Sequence, residues 1–210
     1  MKVWAVANQK GGVGKTTSVV ALGGLLSSQD QRVLLLDMDP HGSLTSYFKY
    51  NPDEIEKSIF QLFQHEGEVP EGLARQLVIR TDFKNLDFMA ASTSLAILER
   101  HAVSKGGMGL VITKTLEQLK YDYDYVLIDT PPILGVLLIN AMAACQKLIM
   151  PVQTEHLAIK GLERMMRTLQ MVIRSQKRDF KYTVVPTMFD RRTHSSVDLS
   201  LITISEPTRP

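Results

Sequence analysis

Only one cysteine, Cys145, occurs in the 210 residues, so no disulfide can form within the chain and a cross-linked scaffold is excluded. It sits in the apolar run AMAAC, which predicts a small buried side chain rather than a reactive thiol, and a lone cysteine fits a reducing compartment. An excess of one charge is also missing: 24 Lys+Arg stand against 22 Asp+Glu, a net charge of +2. The bulk balance therefore calls for neither nucleic acid nor an acidic partner, and any such preference must come from local clusters. No apolar run reaches the roughly 20 residues of a membrane span; the candidate ILGVLLINAMAAC (133–145) falls short. MKVWAVANQK turns polar too early for a secretory signal, so the chain reads as cytoplasmic. Internal repeats, low-complexity tracts and linkers are missing too, which points to one large domain.

What is present is an alternation of short apolar runs with longer segments of helical period. KVWAVA, RVLLLDM, LDFMAA, YDYVLID, KLIMPVQ and YTVVPTM predict strands, each bounded by Gly, Pro, Asp or Asn. TTSVVALGGLLSS, TSLAILERH, GLVITKTLEQLKY, ILGVLLINAMAA and EHLAIKGLERMMRTLQMVIRSQ predict helices between them. The fold class is therefore α/β, a mostly parallel twisted sheet flanked by helices on both faces. Residues 49–85 are the most irregular portion, with a helix expected around EIEKSIFQLFQ. Residues 194–210 have no helical period and read as a weakly ordered tail in which VDLSLITI could form a strand.

The first strand is expected to end at Asn8, with glycines following and a helix starting near Lys15. In that setting the backbone N–H groups from Gly11 through Gly12, Val13, Gly14, Lys15 and Thr16 to Thr17 can face one concavity at the positive end of a helix, which suits a polyphosphate. Glycines allow close backbone approach, Lys15 can reach the β and γ phosphates, and the Thr16 hydroxyl can ligate Mg²⁺. The alternative is a Gly-rich turn with a helix cap. A carboxylate pair, Asp37 and Asp39, closes the second strand beside this loop. YDYVLID ends a buried strand in Asp129, where a carboxylate can hold magnesium through water.

The loop departs from G-x-x-x-x-G-K-[ST] because Gln9 stands at the first glycine position. It reads KGGVGKTT instead, with an additional lysine, Lys10, at its leading edge. This resembles the ParA/MinD family of deviant Walker A ATPases, and the resemblance covers residues 1–193 as a P-loop NTPase domain. It implies ATP and Mg²⁺ as cofactors, slow hydrolysis, and an ATP-dependent homodimer in which Lys10 contacts phosphates held by the other subunit. It further implies that Asp39 places the hydrolytic water, that Asp37 joins Asp129 and Thr16 around magnesium, and that Gln153 and Glu155 belong to the dimer face. A lysine merely solvated on the loop rim is the alternative for Lys10.

Within the family, MKVWAVANQKGGVGKTT, DMDPHGSLTSYF, DYVLIDTPPILGVLLINAMAA, PVQTEHLAIKGLERMMRTL and VVPTMFDRRT resemble the chemotaxis-associated ParC branch. That implies a chemotaxis-array adaptor or polar-landmark protein as partner and recruitment to cell poles. His41 and the TSYF and KGLERM runs carry this branch. The family pattern stops near Thr193, so a shortened C-terminal part and an altered adenine pocket are expected.

Lys160, Arg164, Arg167 and Arg174, followed by Lys177, Arg178, Lys181, Arg191 and Arg192, allow a second reading, a DNA-binding plasmid or chromosome partition ATPase. They can equally be the solvated face of a helix whose Leu162, Met165, Leu169 and Ile173 are core. A non-enzymatic interaction module and a metabolic kinase stay open as further alternatives. No terminal basic amphipathic helix suggests membrane insertion.

Overall fold

The computed structural model describes residues 1–101, 108–154, 158–176 and 181–189. In chain order the strands are β1 (Lys2–Val6), β2 (Val33–Asp37), β3 (Ile79–Arg80), β4 (Leu86–Met89), β5 (Tyr125–Asp129), β6 (Lys147–Gln153) and β7 (Lys181–Thr187). The helices are α1 (Lys15–Ser28), α2 (Ser43–Tyr47), α3 (Leu73–Leu77), α4 (Leu95–His101), α5 (Val111–Gln118), α6 (Val136–Ala144) and α7 (Ala158–Gln176). The seven strands form one sheet in the order β3-β4-β2-β5-β1-β6-β7, and every neighbouring pair is parallel except β3 with β4.

Burial on two faces explains the unbroken apolar strands. Leu34 and Leu36 of β2 point into one core with Val126, Ile128 and residues of α5, α6 and α7. Val33 and Leu35 point into the other with Val19 of α1, Leu127 and Ile149. A period-2 backbone between two helical layers requires an apolar residue at every position. Helix α1 approaches β2 closely at Gly23, where a Cβ would lie 2.7 Å from Leu35 Cδ2. Cys145 is fully buried.

The six expected strands and five expected helices all form, with ends shifted by a few residues. The first strand closes at Val6, two residues ahead of Asn8. Of EIEKSIFQLFQ only Ile59–Gln64 is helical, as a 3-10 turn. Residues 54 and 55 instead close a turn on the Asn51 carbonyl, and Ile59, Leu62 and Phe63 alone supply a buried face. So short an apolar stripe does not sustain an α-helix. Strand β3 and helices α2 and α3 were not legible as separate elements, being 2, 5 and 5 residues long. The expected strand at VDLSLITI and the tail lie outside the described residues.

Candidate functional site

The carboxyl ends of β1, β2 and β5 meet at one place because these strands are neighbours in the order β2-β5-β1. From β1 the chain enters the glycine loop, which turns through Gly12 (φ 72°) and Gly14 (φ 88°) into α1. These left-handed conformations favour glycine. At Gly11, Gly12 and Gly14 nothing lies within 4 Å of where a Cβ would stand, so the loop is open in those directions. Val13 faces inward and is buried, while Thr17 is exposed.

The loop is tied down at several points. Asn8 Nδ2 donates to the Pro151 carbonyl (2.8 Å), and Asn8 Oδ1 accepts from the Lys10 backbone N–H (2.9 Å). Gln9 Nε2 donates to Thr168 Oγ1 on α7 (3.0 Å), and Thr187 Oγ1 at the end of β7 donates to the Val13 carbonyl (3.0 Å). The residue that departs from the usual glycine thus anchors the loop to a helix. Asn8, Thr168 and Thr187 carry no motif that sequence reading could have used.

Lys15, at 8% exposure, lies across the loop with Nζ donating to the Lys10 carbonyl (3.3 Å). Burial pulls its ammonium below the ordinary lysine range, against the opposing pull of Asp129 and then Asp39. Thr16 Oγ1 donates to Asp129 Oδ2 (2.6 Å). The other oxygen, Asp129 Oδ1, is buried with no hydrogen-bond partner among the described residues. Burial first, then the charge of Asp39, pushes the Asp129 carboxyl up to about 6.

Asp37 sits directly opposite Asp129 in the β2–β5 register and is fully buried. Both its oxygens are engaged: Oδ1 accepts from the Asp39 N–H (3.1 Å), and Oδ2 accepts from the Thr45 N–H (2.8 Å) and hydroxyl (2.7 Å). Burial, with Asp129 next, raises its carboxyl to about 7. Thr45 on α2 is therefore a site-building residue with no sequence signal. Asp39 lies nearer the surface, and its Oδ1 meets His41 Nδ1 at 2.9 Å.

An orphaned carboxylate oxygen beside a threonine hydroxyl fits a divalent cation completed by phosphate oxygens and water, as magnesium sites commonly are. Among the described residues no group of three or more His, Cys, Asp or Glu could hold a metal alone. Lys10 lies on the other side of the loop, where Nζ donates to Gln153 Oε1 (2.9 Å). Both line a cavity of about 370 Å³ shared with Pro132, Leu134 and Arg164. The structure thus gathers Lys10, Lys15, Thr16, Asp37, Asp39 and Asp129 around one loop. Glu155 lies outside the described residues.

On α7, Met165 and Leu169 are buried, as a core-facing stripe demands, and Arg164 and Arg167 are exposed. The side chains of Lys160, Ile173 and Arg174, and residues Lys177, Arg178, Arg191 and Arg192, lie outside the described set. Among the described residues no helix is long and apolar enough to cross a membrane.

A glycine loop between a central parallel strand and a helix, with acidic strand ends alongside, defines a P-loop NTPase. A family profile described as an AAA domain matches residues 1–182. The sporulation initiation inhibitor protein Soj of Bacillus subtilis is 35% identical over 199 residues, spanning 94% of this chain and 77% of Soj. The chromosome partitioning protein ParA of Myxococcus xanthus is 33% identical over 194 residues, 92% of this chain and 67% of that protein. Among solved structures, cobyrinic acid a,c-diamide synthase from Mycobacterium smegmatis with bound ATP analogue and magnesium superposes with a TM-score of 0.88. It is 36% identical and covers 100% of this chain and 84% of its own. The chain belongs to this AAA-domain family, in its Soj/ParA-like group of P-loop NTPases. The chemotaxis-associated branch gains no support from these relatives.

Proposed function

We propose that the chain is a switch ATPase that binds Mg·ATP at the glycine loop, dimerises through it, and resets by slow hydrolysis. The observation that carries this reading is the Thr16–Asp129 contact, with the second Asp129 oxygen buried and unpartnered among the described residues. Gly11 to Thr17 cradle the phosphates, Lys15 balances their charge, and Thr16 with Asp129 holds the metal side. Asp37 supports that side from behind, fixing Thr45 and the turn to Asp39. Magnesium held there would supply charge neutralisation at the phosphates. Asp39 orients the attacking water, and His41 holds its carboxylate in place. Lys10 acts on the phosphates of a second copy, for which it must leave Gln153. Support for the ligand comes from the M. smegmatis relative with its ATP analogue and magnesium.

The proposed domain spans residues 1–193, with 194–210 as a tail. The proposed cargo is the polar chemotaxis array, reached through an adaptor or polar-landmark protein; the DMDPHGSLTSYF and KGLERM stretches support it. A chromosome-partition role on DNA is the second reading, favoured by the exposed Arg164 and Arg167 of α7, of which Arg164 lines the Lys10 cavity, and by the M. xanthus relative.

Light scattering without nucleotide, with Mg·ADP and with Mg·ATP tests the switch. The expected result is a dimer only with Mg·ATP, persistent in Asp39→Ala and absent in Lys10→Ala. A monomer in every condition refutes it and leaves an interaction module. Salt-sensitive duplex binding that needs ATP and disappears in Arg164→Ala/Arg167→Ala would favour the DNA reading over the chemotaxis array.

A further inference from the structure

The tethers that hold the glycine loop do not all end on the same layer of the fold. Asn8 is tied to the Pro151 carbonyl of β6, Lys10 to Gln153 of β6, and the Val13 carbonyl to Thr187 of β7. These end on the sheet. The tether of Gln9 ends instead on a helix, at Thr168 of α7.

On the inner side of α7, Met165, Leu169 and Val172 are packed into the core, and Thr168 is buried among them. Its hydroxyl has a single proton and spends it on the Arg164 carbonyl one turn back (3.2 Å), so toward Gln9 it can only accept. That requirement turns the Gln9 amide nitrogen toward α7 (3.0 Å). A directed chain results, from Gln9 Nε2 to Thr168 Oγ1 to the Arg164 carbonyl. It ends where Gly161 and Arg164 of α7 line the same cavity as Gln9 and Lys10. Helix stability does not account for the hydroxyl. A threonine bonded to the carbonyl four residues back slightly destabilises a helix, and valine would suit an apolar stripe. The bond to Gln9 is what the hydroxyl adds, and a glycine at position 9 would leave it unmade.

We propose that Gln9 and Thr168 are a positioning pair that couples occupancy of the glycine loop to the seating of α7. A nucleotide at the loop then bears on the placement of Gly161 and Arg164 at the cavity wall. By linkage, a shift of α7 changes nucleotide affinity by the same factor. The exposed Arg164 and Arg167 lie on the helix that receives this signal. The inference rests on nucleotide binding at the glycine loop, and not on dimerisation.

The test uses the full chain with Mg·ADP, which keeps the proposed dimer out of the measurement. Calorimetry should give affinities about three- to tenfold weaker in Gln9→Ala and in Thr168→Val, with no further loss in the double variant. Gln9→Gly, which restores the ordinary loop pattern, should be as weak as Gln9→Ala. Thr168→Ser, which keeps the hydroxyl, should stay within about twofold of the parent. Hydrogen exchange adds a readout that a merely stabilising contact would not move. Saturating Mg·ADP should slow exchange at residues 164–168 in the parent, and this response should be lost in Gln9→Ala. Circular dichroism checks that each variant is folded. Parental affinity in both single variants, losses that multiply in the double variant, or Thr168→Ser as weak as Thr168→Val overturns the proposal. So does the same α7 response in parent and Gln9→Ala. A parent that binds no Mg·ADP overturns the nucleotide reading together with the coupling, whereas binding without the coupling overturns the coupling alone.

Discussion

Replacing Thr45 by valine removes a hydroxyl and keeps the shape, at a point where that hydroxyl serves two buried groups. It donates to Asp37 Oδ2 at 2.7 Å and accepts from the Ala91 N–H at 2.9 Å. Losing a hydrogen bond to a charged group costs about 1.5–3 kcal/mol, and orphaning a buried N–H costs about 1–3 kcal/mol. Thr45→Val should therefore lose roughly 3–5 kcal/mol of stability at about pH 8, where Asp37 is ionised, and less at about pH 5, where it is neutral. The loss should also depend on pH. Burial raises the Asp37 carboxyl to about 7 in the folded chain, from an ordinary carboxylate value of 3.8 when unfolded. The folded state thus holds this proton more tightly. The chain is favoured while Asp37 is protonated, and stability falls as pH rises from about 4, levelling off above about 7 after a total of about 4 kcal/mol. The Thr45 hydroxyl pulls that pKa down, so without it the decline runs to higher pH and the gap between the two proteins widens. Urea unfolding of the ligand-free chains at about pH 5 and about pH 8 measures both effects. Thr45→Ser, which keeps the oxygen, should lose only about 1 kcal/mol. A valine variant within about 1 kcal/mol of the parent at both pH values, or a serine variant as damaged as the valine one, would refute the reasoning.

Asp129→Asn removes a buried charge whose folded pKa is raised to about 6. Its melting temperature without ligand should rise by a few degrees at about pH 8, while its magnesium-dependent ATP affinity drops by about tenfold or more; calorimetry in both states checks the opposed signs. Gly42→Ala places a Cβ at φ 59° against the Pro52 ring and should cost about 1–3 kcal/mol, read as a lower urea midpoint.

The parallel sheet was legible because both its faces are buried, which writes itself as apolar runs such as VLLLD. Short elements were not legible. Helices α2 and α3 have too few residues to show a period, and α2 is pinned to the end of β2 by the Thr45–Asp37 hydrogen bonds, which no residue pattern announces. The same limit holds at the site. Lys15, Thr16 and Asp129 announce themselves by a local pattern, whereas Gln9–Thr168 and Lys10–Gln153 join residues 159 and 143 positions apart. A pairing of that kind is a product of strand order. Asp37 reads as a metal-facing acid from its motif, yet hydrogen bonds from Thr45 and Asp39 already occupy both its oxygens.

The placement of β1 between β5 and β6 has a consequence for folding. The glycine loop leaves the first strand of the chain, but that strand has no neighbour until residues 125–129 and 147–149 arrive. Nothing in the N-terminal third can therefore shape the loop by itself. The site appears only when distant segments have closed the sheet, and contacts of such range are slow to form. A nucleotide bound there would report the folded state of the entire sheet. By mass action it would also pull late-folding chains toward that state, so that its concentration sets how much of the protein survives.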